Sequence, residues 1–139
     1  QLFINKLDQR QFCCGYSDLI HSEQFSGQYE CSGHIPLKWL KSAYLSLFDL
    51  FEQRWGRVSI YFLHFPIALE TRPIYIERYY AIVQAIQEIS KIRPNVRSIE
   101  VDSSQVRWPI DVPENIKSFP YHYGDETYLM FKERIGATL

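Results

Sequence analysis

A doubly wound α/β domain, with a mostly parallel sheet between two layers of helix, is the fold class this sequence predicts. Three observations carry it: helical and strand periodicities alternate along residues 36–135, the stretch "RVSIYFLHF" is apolar at nearly every position, and glycine or proline marks the changes between segments. All 139 residues are read as one α/β domain, in which residues 1–35 form an irregular or partial N-terminal segment and residues 36–139 a βα core.

Within the first segment, "QFCCGYSDLIH" reads as a strand and turn, and the polar, glycine-bearing "HSEQFSGQYECSGH" as a loop. From Pro36 to Trp55, Leu37, Leu40, Tyr44, Leu47 and Phe51 recur at three- and four-residue steps, which predicts a helix opened by Pro36 and stopped by Gly56. Arg57 to Phe65 is β-branched and aromatic, as in a strand covered on both faces of a parallel sheet. Thr71, Arg72 and Pro73 open a second helix, with Tyr79, Ile82, Val83, Ile86 and Ile89 on its buried side, and "RPN" at 93–95 ends it. "VRSIEVD" follows as a short strand with Ile99 and Val101 on one side, and beyond Pro109, Pro113 and Pro120 a closing helix places Tyr128, Phe131 and Ile135 on one face. Right-handed crossovers bring the loops "HFPIALETR" and "FPYHYGDE" to one sheet edge, where ligands bind in such folds.

Fifteen basic against sixteen acidic side chains give a formal charge of -1, which removes the electrostatic footprint of a nucleic-acid binder. No apolar run approaches the ~20 residues of a membrane span, and the N-terminal residues lack a signal-peptide pattern, so a cytoplasmic protein is expected. Cys13, Cys14 and Cys31 are an odd set that suggests reduced thiols. Cys31 and His34 have zinc-compatible spacing, but a structural site wants four ligands and no second pair is evident, so neither metal nor cofactor is expected.

His122 precedes a helix that Asp125 could cap, where the positive end of the helix dipole disfavours imidazolium. A neutral histidine there suits a general base, and the competing reading is a loop residue bonded to a carbonyl. Trp108, Tyr121 and Tyr123 would fall near the same edge and could stack on a sugar.

Taken together, "SIYFLHFP", "RPIYIERYYAIVQAI", "VRSIEVD" and "SFPYHYGDETYLMFKERI" resemble the C-terminal part of an SGNH, or GDSL-like, hydrolase of the poorly characterised bacterial branch with a His-Phe-Pro strand end and a late His-Tyr. The resemblance covers Arg57 to Ile135. It implies a flavodoxin-like, three-layer α/β/α fold, which this chain would leave incomplete at the N-terminal side. It also implies an acyl- or acetyl-ester substrate, carbohydrate-linked, with His122 as the base that activates a serine. The chain departs from the family's pattern: Phe119 stands where an aspartate is usual, so Asp125 or Asp111 would have to orient the ring. No Gly-Asp-Ser block is present, and the nearest approximation, Gly15 to Asp18, offers Ser17 as the nucleophile. A cysteine at 13 or 14, or a residue upstream of Gln1, are the other candidates.

"HFPIALETR" replaces the family's asparagine loop. His64 could donate a hydrogen bond to substrate there, and Arg72 could grip a carboxylate or sulfate through its fork. Against this stand a satisfied strand-end histidine and an arginine paired with Glu70 or Glu77. The alternative to a hydrolase is an α/β binding or assembly module that lacks the nucleophile. An incomplete sheet would expose an edge strand to a second copy, giving a homodimer.

Overall fold

A computed structural model describes residues 2–13, 22–110, 113 and 123–137. They form a mixed α/β protein of two compact units, Gln1–Trp39 and Leu40–Leu139.

In the first unit, β1 (Leu2–Asn5) lies between β2 (Gln11–Cys13) and β3 (Tyr29–Gly33), antiparallel to both. The short turn between β1 and β2 forces the antiparallel arrangement, because a parallel pair needs a crossover of a dozen or more residues. Asn5 Oδ1 and Asp8 Oδ1 shape that turn by accepting from the backbone N–H of Leu7 (2.8 Å) and Arg10 (3.0 Å). The stretch expected to be a loop instead forms α1 (Glu23–Gln28), capped by Ser22, and then β3. Its aromatic residues decide this: the Phe25 ring sits 5.2 Å from Phe3 and 4.7 Å from Tyr29, so tertiary packing outweighs a polar local sequence. The expected mostly parallel sheet is therefore corrected, since these three strands are antiparallel.

The second unit is built on one parallel pair, β4 (Ile60–Leu63) and β5 (Val96–Ile99), with Ile60 opposite Val96 and Phe62 opposite Ser98. The 16-residue α2 (Leu40–Trp55) enters through a 3-10 turn at Leu37–Trp39 and ends at Gly56, whose φ of 75° is the left-handed conformation that favours glycine. The connection from β4 to β5 is α3 (Pro73–Ile92), with proline in its first turn. Arg93 N–H closes its last turn onto the Ile89 carbonyl, and Pro94 prevents continuation. Phe48 of α2, Ile86 and Ile89 of α3 and Val96 of β5 form the buried core, joined by Tyr44, Leu45, Phe51, Ile60, Phe62 and Ile82. Helical spacing places the core residues of α2 and α3 on single faces, and strand alternation aligns Ile60 with Phe62 beneath them.

The closing helix, α4 (Asp125–Gly136), begins at Gly124, which is the N-cap and makes no side-chain capping bond. Asp125 is thus the first helical residue and not the cap expected from its position. Glycine suits the cap sterically: its N–H donates to the Arg107 carbonyl at 2.9 Å, and a Cβ would lie 3.2 Å from the Trp108 carbonyl oxygen.

Truncating the core should be costly. Phe48→Ala and Ile86→Ala are each expected to lower unfolding free energy by about 2–5 kcal/mol, and Leu50→Ala, on an exposed side chain, by no more than ~0.5 kcal/mol. Urea unfolding followed by circular dichroism checks the contrast, and equal losses at all three positions would contradict the assigned core.

Candidate functional site

The pleat that aligns Ile60 and Phe62 carries His64 to the same side of β4, one residue beyond the strand's end. Its backbone N–H donates to the Ile99 carbonyl at 3.0 Å, which extends the parallel ladder by one rung. The side chain is only 2% exposed, with its ring 4.9 Å from Phe62 and 6.1 Å from Tyr79. Nε2 lies 2.8 Å from Ser98 Oγ on the adjacent strand. Burial depresses the His64 pKa and the Glu100 carboxylate opposes that only in part, so the ring is neutral at physiological pH.

His64 lines a cleft of about 310 Å³ at the C-terminal end of β4. Tyr44 of α2, Phe62 of β4 and Ile82 of α3 make its apolar side, while Pro66 and Ile67 come from the loop that follows the strand. Polar groups are few: His64, Glu70, Arg78 and the tyrosine hydroxyls. A mainly apolar concavity with a small set of fixed polar groups is the usual form of a small-molecule site. Burial raises the pKa of Tyr44, with Arg78 acting in the opposite direction. Tyr79 is pushed up to about 12 by burial and by Glu100, whose carboxylate accepts from its hydroxyl at 3.5 Å. Both tyrosines are therefore neutral donors.

The loop after β4 is held by one carboxylate. Glu70 accepts from Arg72 Nε at 2.8 Å and Nη2 at 2.7 Å, and its Oε1 also accepts from the backbone N–H groups of Thr71 and Arg72. The guanidinium lies 4.1 Å over the Tyr75 ring. The fork that the sequence suggested for a substrate oxyanion thus grips Glu70, and it presets the turn into α3. These bonds, led by the side-chain contact with Arg72, hold Glu70 down to about 2.

Tyr123, expected as a sugar platform, is buried, and its hydroxyl donates to the Pro66 carbonyl at 2.9 Å. That bond ties Tyr123, just before the closing helix, to the wall of the cleft. Asp125 is exposed at the first turn of α4. Ser17, Tyr121 and His122 lie outside the described residues, as do Cys14 and Asp111.

Sequence reasoning missed Ser98, Glu100, Arg78 and the place of Tyr44 and Tyr79 in the cleft, whereas Glu70 was one of the two partners it offered for Arg72. The alternation of Val96, Ser98 and Glu100 put two polar residues on the face that meets α3, but only the register reveals that Ser98 meets His64. Among the described residues, no three or more His, Cys, Asp or Glu side chains are grouped to hold a metal ion, and no helix is long and apolar enough to cross a membrane. The chain matches no protein-family model, no curated protein and no solved structure.

Glu70 should leave a signature in acid. A carboxyl held at about 2 in the folded chain, against an ordinary value of 4.5, is protonated first in the unfolded chain. Its stabilisation is complete above about pH 4.5 and is lost as pH falls toward 2. Arg72→Ala is expected to lower stability at neutral pH by about 1–2 kcal/mol and to flatten the acid dependence in that window. Urea midpoints across the range check it, and an unchanged slope would contradict the assignment.

Proposed function

We propose that the chain is a hydrolase-related α/β domain of SGNH type that takes an acyl or acetyl ester, carbohydrate-linked, into the cleft at the end of β4. The supporting observation is the convergence there of an apolar concavity, a buried neutral His64 and the loop tied down by Tyr123. An ester needs little more for binding: an apolar wall for its acyl group and neutral donors for its carbonyl oxygen. His122, the residue before Tyr123, is the proposed general base for a serine nucleophile. Asp125 is the proposed orienting carboxylate.

A second reading is binding without turnover. It is favoured by the Arg72–Glu70 ion pair, since two of the charged groups beside the cleft then serve its architecture and not a reacting substrate.

Hydrolysis and binding of p-nitrophenyl acetate and butyrate, measured in parallel on wild type and His122→Ala, test both readings. The hydrolase reading expects turnover by wild type and a loss of about 10²-fold or more in His122→Ala, with affinity for the non-hydrolysed analogue 4-nitroacetanilide retained. Affinity for the anilide with buffer-level ester hydrolysis would leave the binding module. Absence of both turnover and binding would sink both readings.

A further inference from the structure

Ser98 and His64 form a polar pair beside Ile60, Phe62 and Val96, and the hydrogen bonds open to each group decide which nitrogen of the ring carries the proton. A neutral imidazole has one donor nitrogen and one acceptor nitrogen, set by what each meets. Among the described residues Nε2 meets only Ser98 Oγ, at 2.8 Å, and Ser98 Oγ meets only that ring. Were Nε2 the donor, the half-buried serine hydroxyl would accept and its own proton would go unused. Donation from Oγ to Nε2 uses the serine proton and the ring lone pair in one bond, and it leaves the other ring nitrogen to be met by a ligand or by water in the cleft. The proton of the ring then resides on Nδ1. Among the described residues Nδ1 has no hydrogen-bond partner. His64 lines the cleft and Ser98 does not, so the nitrogen turned away from Ser98 is the one available to a ligand.

We infer that Ser98 is a positioning residue, which locks His64 in the Nδ1–H form and makes it a neutral hydrogen-bond donor to the carbonyl oxygen of an acyl group seated in the cleft. The carbonyl contact rests on the ester reading above; the tautomer does not. Ser98 is not itself the nucleophile on this account. It sits in the β4–β5 ladder, opposite Phe62, where the backbone N–H groups are committed to strand pairing and cannot serve an oxyanion. A neutral donor of this kind suits an ester better than a charged one, since it binds the carbonyl while avoiding the desolvation of an ion beside Phe62 and Ile82.

The test pairs a spectrum with a ligand comparison on the full chain. Long-range ¹H–¹⁵N spectra near neutral pH should show His64 Nδ1 protonated and Nε2 unprotonated in wild type and in Ser98→Thr, which keeps the hydroxyl, and mixed tautomers in Ser98→Ala. Wild type should bind 4-nitroacetanilide about tenfold more tightly than N-ethyl-4-nitroaniline, in which a methylene replaces the carbonyl. Ser98→Ala should lose most of that preference and Ser98→Thr should keep it. An Nε2–H tautomer in wild type would overturn the inference whether or not any ligand binds. A carbonyl preference unaltered in Ser98→Ala would overturn it while leaving the ester reading intact. Failure of wild type to bind either compound would remove the ester reading, and the carbonyl contact with it.

Discussion

The second unit depends on the packing of α2 and α3 against one face of a two-stranded parallel sheet. Parallel strands cannot be joined by a hairpin, so β4 and β5 are neighbours only because α3 crosses between them and buries Ile86 and Ile89 against Val96. Phe48 enters the same core from α2, and Tyr44 stands edge-on to Phe62 with ring centroids 5.1 Å apart. At the opposite end a polar corner closes the arrangement. Arg93 donates to Asp49, and the Asn95 amide donates to Glu52 at 2.9 Å and to the Val58 carbonyl at 3.0 Å, linking the ends of both helices to the start of β4. The apolar middle supplies stability; the polar corner fixes which helix end meets which strand.

The site follows from that packing by continuation. The strand row that starts with Ile60 and Phe62 reaches His64 just where the sheet stops, so the imidazole is covered by the same helices that cover the core. A buried polar ring among aromatic groups is tolerated only when hydrogen-bonded, and Ser98 on the neighbouring strand provides the bond. Beyond it the chain turns on Glu70, whose ion pair with Arg72 sets the start of α3 and so the position of Tyr75, Arg78 and Tyr79 along the cleft. Core, turn and cleft are successive results of one register.

Much of this was legible in the residues. The apolar spacings of Leu40 to Phe51 and of Tyr79 to Ile89 located α2 and α3, and the run around Tyr61 located β4 as a strand suited to parallel pairing. Gly56 and Pro94 marked two ends because their backbone preferences act locally. The first 35 residues read differently, since α1 and β3 owe their form to rings of Phe3 and Phe12 that are distant in sequence, and no local pattern reports such contacts. His64 and Arg72 were visible as residue types, but their partners were not equally so. Glu70 lies two positions from Arg72 and could be named beforehand. Ser98 lies 34 positions from His64 and becomes its neighbour only through strand register.

The state of the His64 ring carries the account, since it reports burial, strand register and the Ser98 contact together. Following its Hε1 resonance through a pH titration of the intact chain gives that state directly. A midpoint clearly below the ordinary 6.5 is predicted, because the covered ring resists charging. A midpoint at or above that value would mean a ring open to water or paired with a carboxylate, and would contradict the packing from which the site is derived.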